Sequence, residues 1–501
     1  MLKEEIVELT EDVSSSPLYN TDFAPVKARD RTWNTWNIAA IWIGMAVCIP
    51  TYMLASSLIE QGMNWWQALV TILLGNVIVL LPMILNAHAG TKYGIPLPVL
   101  LRLNFGVDGA ILAALLRGLV ACGWFGIQTW IGGAAIYQLM LVMVPGLADS
   151  VYLGDLIGLN LAQLACFFLF WFMNMYVIYR GIDLIKKLES WAAPFLLLIG
   201  FCLLGWAWME VGSLGQILDA SYTLSTQSDI QFWKIFWPGL TAMVGFWATL
   251  SLNIPDFTRY VSSQREQVVG QVIGLPTTMV LYSFIGIAVT SATVIIFGEA
   301  IWDPVLLLGR FDSSSVVIIS MIGLTVATLS TNIAANVVAP ANSFSNIKPS
   351  LINFKWGGYI TGIVGILIFP WKLLADPQGY IFKWLIAYSA LLGALAGIMI
   401  CDYFVLRKTK LDLAHLFKAD GKYRGWNKAA WFAFVLSVIP MIPGFLIHVE
   451  AVQADAVPPI WDEIYSYAWF ISFFLAFILY YIFIKIRIRR GGSLDHNSIP
   501  L

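Results

Sequence analysis

The chain has 501 residues, 59% of them hydrophobic and only 12% charged, where soluble domains carry roughly 25% charged residues. That composition excludes a soluble globular protein and defines a polytopic membrane protein. The net charge of −1 argues against a nucleic-acid partner. The five cysteines (Cys48, Cys122, Cys166, Cys202, Cys401) fall in apolar segments without CxxC or Cys/His spacing, so neither a disulfide nor a cysteine metal centre is expected.

In chain order, residues 1–35 form a polar N-terminal segment, acidic and then mildly basic. The first apolar stretch therefore reads as a retained membrane helix rather than a cleaved signal peptide. A span needs about 20 apolar residues. On that measure the sequence predicts twelve helices: 36–58, 65–87, 107–137, 155–179, 189–208, 233–253, 270–297, 315–340, 357–373, 379–404, 427–448 and 464–486. The loop 405–426 is short and basic, and the tail 487–501 is polar.

Lysine and arginine set the orientation. With the N-terminus in the cytoplasm, of the 29 Lys and Arg only Lys234, Arg310, Lys372 and Lys383 fall outside, and Arg117 falls within a span. A bias this strong supports an even number of spans and two cytoplasmic termini, in a plasma (inner) membrane.

Two spans are interrupted. The first contains Gly44 and then Cys48-Ile-Pro50; the sixth contains Gly245 and then Asn253-Ile-Pro255. Proline removes a helical donor and glycine lets the chain leave helical geometry. A simple kink accounts for either break alone. Matched breaks five helices apart point to two five-helix repeats of opposite topology, 36–208 and 233–404, followed by two additional helices, 427–486. That arrangement marks the binding site of a secondary transporter.

Polar side chains at membrane depth need partners. The eighth span carries Ser330 and Thr331 side by side, and Asn332 and Asn336 one turn apart. The third carries Trp124 and Gln128, also one turn apart and too deep for an interfacial belt, and Trp247 follows Gly245 in the sixth. Each tryptophan taken singly reads as packing. Together, two indoles offer faces to a planar ring, and the Gln128 and Asn336 carboxamides match the N–H and C=O edge of a cyclic amide, imide or urea. No Asp, Glu, Lys or His lies near these residues at depth, so the expected ligand is neutral. Ser330 and Thr331, with carbonyls around Gly44 and Val47, make a candidate hard-cation site; the alternative is that the hydroxyls bond back to their own helix.

These stretches resemble the nucleobase:cation symporter family 1, which includes hydantoin, allantoin, uracil and cytosine permeases. The resemblance runs from about Arg31 to Arg490. It is carried by Asn37-Ile-Ala-Ala-Ile-Trp-Ile-Gly44, Asn86-Ala-His-Ala-Gly-Thr-Lys-Tyr-Gly-Ile-Pro-Leu-Pro98, Trp124-Phe-Gly-Ile-Gln128-Thr-Trp, Asn253-Ile-Pro-Asp-Phe-Thr-Arg259, Ser330-Thr-Asn-Ile-Ala-Ala-Asn336 and Leu395-Ala-Gly-Ile-Met-Ile-Cys-Asp-Tyr-Phe404. It implies an all-α, inverted five-plus-five fold shared with sodium-coupled amino-acid transporters, with two extra C-terminal helices. It also implies stacking by Trp124 and Trp247, hydrogen bonds from Gln128 and Asn336, and sodium ligands at Gly44, Val47, Ala327, Ser330 and Thr331. Leu385 falls where a leucine helps close the site. The chain departs from the family at Cys48, where relatives often carry an amide, at Phe246, where a small residue is usual, and at Gly393-Ala394, where a Gly-Pro pair is usual.

The expected function is import of a neutral nitrogen heterocycle or ureide by cation symport and alternating access. Allantoin, hydantoin and uracil rank ahead of cytosine and other nucleobases. Retention of both hydroxyls favours sodium over protons, and neither a cofactor nor a protein partner is implied beyond the lipid bilayer. The alternative is an amino-acid/cation symporter of the same fold, which would need a group to capture an ammonium. An intramembrane enzyme would need a nucleophile–base pair or metal ligands at depth; His88, His415, His448 and His496 all lie at span edges, in loops or in the tail.

Overall fold

The computed structural model describes residues 6–19, 21–180, 182–224, 229–347, 352 and 354–494. The basic residues Lys3 and Lys348 and the tail 495–501 lie outside the described residues. The described chain is helical throughout, and its only strand-like pairings are isolated bridges at Trp33–Val261 and Tyr152–Asn160.

Ten helices among the described residues are long and apolar enough to cross a bilayer, or eleven when the bent pair Thr35–Ala46 and Ile49–Glu60 counts as one span. The second, third and fourth predicted spans appear as Trp65–Tyr93, Val107–Met143 and Leu161–Arg180. The fifth to eighth appear as Ile182–Val211, Gln231–Thr258, Gln264–Phe297 and Ser314–Asn336. The tenth is Gly379–Leu406, the eleventh Lys428–His448 and the twelfth Ala468–Arg489.

The predicted ninth span, 357–373, is the exception to the expected twelve. It is a 14-residue helix, Phe354–Leu367, roughly 21 Å long. A left-handed turn at Phe369 (φ 52°) and then the short helix Pro370–Leu373 follow it. Pro370 has no N–H with which to continue the preceding helix, so the apolar run is divided in two there.

Burial separates inner from outer helices. In the sixth and tenth spans 89% of the apolar window is buried inside the protein, against 28% in the twelfth and 33% in the eleventh. The C-terminal pair thus faces lipid, whereas the sixth and tenth have protein on nearly every side. The third span packs against the fourth, eighth and ninth segments. It makes these contacts through small residues that let backbones approach closely.

The N-terminal segment is not a loose tail where it is described. The buried Arg31 guanidinium donates to Thr91 O at 2.7 Å, Lys92 O at 3.1 Å and Val26 O at 3.0 Å. Arg102, on the short helix Leu97–Phe105, donates to Leu18 O and Leu416 O, both at 3.1 Å, and to Asn346 Oδ1 at 3.2 Å. Burial lowers the Arg102 pKa to about 10, and these three acceptors hold the guanidinium in place. Lys418 pairs with Glu11 at 2.6 Å, so the basic loop 405–426 and the N-terminal segment clasp each other.

Candidate functional site

The site forms where two helices stop and restart. The first span ends at Ala46, passes through Val47 (φ −81°, ψ 83°) and the extended Cys48 (φ −146°, ψ 158°), and resumes at Ile49 with a bend of 59°. Pro50 sits in the opening turn of the second half, where its missing N–H does no harm. The Cys48 thiol lies 3.3 Å from Thr51 Oγ1. It therefore packs into the break as a local partner, in the place where the resemblance implies an amide.

The sixth span is interrupted more mildly. Its first helix ends at Phe246, Trp247 leaves helical geometry (φ −101°, ψ 3°), and Ala248–Asn253 follows within the same span. The interruption thus falls on Trp247 itself, with a second step at Ile254-Pro255.

Around these breaks lies a cluster of buried rings. Trp124 meets Phe246 edge to face at 5.1 Å and 75°, and Phe246 meets Trp247 at 5.0 Å and 81°. Trp42 of the first span stands perpendicular to Trp247 at 5.3 Å. Trp124 and Trp247 are both buried, and Phe246 makes an edge-to-face contact with each of them. The tenth span closes the other side, with Tyr380, Trp384 and Tyr388 at 6.4, 5.9 and 6.4 Å from Trp124. A Cβ at Gly123 would lie 2.0 Å from the Trp384 ring, so glycine is required there. Leu385 is fully buried; its carbonyl would lie 2.8 Å from a Cβ at Gly245, which seats the tenth span directly on the end of the first half of the sixth. Trp42, Tyr380, Trp384 and Tyr388 were not singled out from the sequence, although residues 380, 384 and 388 follow a four-residue spacing that marks one helix face.

The amides divide into two roles. Gln128, one turn beyond Trp124, is 4% exposed, and among the described residues its carboxamide makes no hydrogen bond. Asn336 donates to Asn332 Oδ1 at 3.1 Å. Asn332 in turn donates to Phe125 O, Thr129 Oγ1 and Asn174 Oδ1, each at 3.2 Å. Asn332 is therefore the knot that ties the eighth span to the third and fourth. Asn336 hangs from it, and among the described residues its own oxygen makes no hydrogen bond.

The five expected cation ligands sit on two helices that touch, Thr35–Ala46 with its exit at Val47 and Ser314–Asn336. Ser330 is 1% exposed and its Oγ has no partner, a condition that buried hydroxyls rarely tolerate. Thr331 Oγ1 instead donates to Ala327 O at 3.0 Å, so two of the five groups are engaged with each other. Space is open beside Gly44, where an added Cβ would meet nothing within 4 Å. The donors are hydroxyl and carbonyl oxygens, the set a hard monovalent cation takes. Among the described residues no three His, Cys, Asp or Glu side chains converge on a metal-binding point.

One charged group at depth does bear on the site. Arg117, two turns from Trp124 on the same helix face, is 2% exposed and donates to Asn253 Oδ1 at 2.9 Å. Asn253 donates on to Asp256 Oδ2 at 3.4 Å, and Asp256 accepts from Leu97 N at 2.7 Å. The third and sixth spans are thus bridged twice, by rings around Trp124 and by this polar chain beyond the Asn253 break.

A many-helix membrane body with an interrupted helix pair around a buried aromatic and amide cluster defines a membrane transporter, not an enzyme. Residues 25–472 match the family of permeases for cytosine/purines, uracil, thiamine and allantoin, and the chain belongs to that family. It is 42% identical over 489 residues to the purine-uracil permease NCS1 of Arabidopsis thaliana, covering 97% of this chain and 80% of that one. It is 37% identical over 479 residues to the allantoin permease of Bacillus subtilis (strain 168), covering 94% of each. Its fold matches that of Mhp1, a nucleobase-cation-symport-1 family transporter solved in a closed conformation with bromovinylhydantoin bound. The TM-score is 0.74 at 23% identity, over 96% of this chain and 98% of that one.

Proposed function

We propose that the chain imports a neutral, carbonyl-bearing nitrogen heterocycle or ureide across the plasma (inner) membrane, with both termini in the cytoplasm, by symport with sodium. Allantoin, hydantoin and uracil rank ahead of cytosine and other nucleobases. The observation that carries this reading is the Gln128 carboxamide, on a residue 4% exposed and without a hydrogen bond among the described residues, one turn from Trp124, whose own ring is met by Phe246 and Trp384. A carboxamide with no bond of its own among the described residues suits a ligand edge that both donates and accepts. The relatives named for purines, uracil and allantoin support the same class.

Sodium on Ser330 Oγ, Thr331 Oγ1 and the carbonyls of Gly44, Val47 and Ala327 would draw the exit of the broken first helix onto the eighth. Binding of the cation would thereby favour the conformation competent to take the ligand. The ring would lodge against Trp124 and Trp247, bond to Gln128 and Asn336, and be covered by the tenth span at Leu385. Cys48 and Phe246 shape the remaining walls.

The test is a binding and uptake panel on purified protein in proteoliposomes, with uracil, allantoin, hydantoin, cytosine and leucine, in sodium and in choline. Saturable uptake of at least one of the first three, stimulated by sodium, is expected. Leucine uptake that the heterocycles fail to inhibit overturns the ligand class in favour of an amino-acid symporter. Uptake indifferent to sodium but driven by a pH gradient overturns the coupling ion.

A further inference from the structure

The end of a helix leaves carbonyls without intrahelical partners, and at membrane depth water is not at hand to satisfy them. The two interrupted helices both find donors on one element. Tyr388 Oη donates to Gly245 O at 2.9 Å, in the last turn before the Trp247 break. Tyr380 Oη donates to Pro50 O at 3.3 Å; this carbonyl opens the resumed helix rather than ending one, so the bond is an additional tie across the Cys48 break and not the capping of a free carbonyl. Both tyrosines are buried, and both rings also stand against Trp124.

Local geometry brings the two hydroxyls toward one side. Residues eight apart on a regular α-helix are offset by roughly 80°. The segment Gly379–Ile386 winds instead as a π-helix, whose wider i→i+5 turn takes back part of that offset. Such segments recur at functional sites. Here the π-wound segment carries Tyr380, the regular helix after it carries Tyr388, and Leu385 between them abuts Gly245.

We propose that Tyr380 and Tyr388 are positioning residues that latch the tenth span to both helix breaks at once. Any displacement of the tenth span away from Trp124 then releases the first and sixth helices together. The covering of the site and the geometry of its two broken helices become one coupled variable. The inference rests on these bonds and on no assumption about the ligand, so it stands or falls separately from the substrate panel.

The chain supplies its own probes. Cys48 lies at the first break, 5% exposed, and Cys401 is buried at the far end of the tenth span. In the full-length protein in membranes, alkylation by N-ethylmaleimide is followed at each cysteine by peptide mass spectrometry. Tyr380→Phe keeps the ring and deletes only the donor. It should speed modification of Cys48 about fivefold or more, the scale of one buried hydrogen bond, and leave Cys401 unchanged. Tyr388→Phe should raise deuterium uptake at amides 246–250 and leave 47–52 unchanged. Cys48 modified at the unaltered rate in Tyr380→Phe overturns the first latch, as does an equal rise at Cys48 and Cys401, which marks general loosening. Unchanged uptake at 246–250 in Tyr388→Phe overturns the second.

Discussion

Phe246 stands edge-on to Trp124, ring centroids 5.1 Å apart, and its other side meets Trp247 at 5.0 Å. If a planar ligand lodges against Trp124 and Trp247 as proposed, Phe246, in contact with both, borders it. On that reading the phenyl group limits the width available to the ligand, and compact, unsubstituted rings are expected to be preferred. Phe246→Gly should improve binding of hydantoins bearing a bulky 5-substituent by about tenfold or more relative to hydantoin itself. Truncating a buried aromatic also costs about 3–5 kcal/mol at worst, so thermal stability in detergent should drop in the same variant. A substituent preference identical to that of the parent chain would remove Phe246 from the specificity account.

The amides on the eighth span should separate in their effects. Asn336 donates to Asn332, and among the described residues its oxygen has no hydrogen bond. Asn336→Ala should cut uptake of the accepted heterocycle at least about tenfold with little change in melting temperature or surface expression. Asn332 Nδ2, with two N–H groups, lies 3.2 Å from three acceptors on the third and fourth spans. Asn332→Ala should destabilise the protein by about 1–3 kcal/mol, seen as a lower melting temperature before any ligand is added. Normal transport in Asn336→Ala would refute its place in the pocket.

The contrast between these neighbours shows what the sequence could convey. Span positions were legible because lipid imposes a minimum apolar length and turns every backbone bond inward; the ninth segment escaped because one left-handed residue and Pro370 divide it. Trp124 and Gln128 were legible as a face of one helix. Asn332 and Asn336 share such a face as well, and only contacts to Phe125, Thr129 and Asn174 reveal that one is a structural knot. Tyr380, Trp384 and Tyr388 show an aromatic spacing, but their importance depends on meeting Trp124, Pro50 and Gly245 from a distant part of the chain. No acidic group was expected near these residues at depth, yet Asp256 is linked through Asn253 to a buried arginine two turns from Trp124.

The two hydroxyls of the candidate cation site should not be equivalent. Ser330 Oγ is buried without a partner, whereas Thr331 Oγ1 already bonds to Ala327 O. Ser330→Ala removes an oxygen with no other role and should weaken the sodium dependence of uptake by about tenfold in half-saturating concentration, with stability preserved or improved. Thr331→Val should have the smaller effect. The double substitution Ser330→Ala with Thr331→Ala should abolish stimulation by sodium. Full sodium stimulation in that double variant, measured against choline, would leave the cation to be sought elsewhere.

Asn253 accepts from a guanidinium that is 2% exposed and whose Nε and Nη1 have no other partner. A charge in such surroundings depends heavily on each bond it retains. Asn253→Ala should therefore cost about 1.5–3 kcal/mol, the range for a hydrogen bond to a charged group, read as a fall in melting temperature. Asn253→Gln retains the carboxamide one methylene further out and should recover part of the loss. Because Asn253 lies beyond the Trp247 interruption, the same change should also loosen the sixth span next to the site, raising deuterium uptake at residues 250–256. An unaltered melting temperature in Asn253→Ala would mean that Arg117 finds another acceptor, and the second bridge between the third and sixth spans would have no energetic standing.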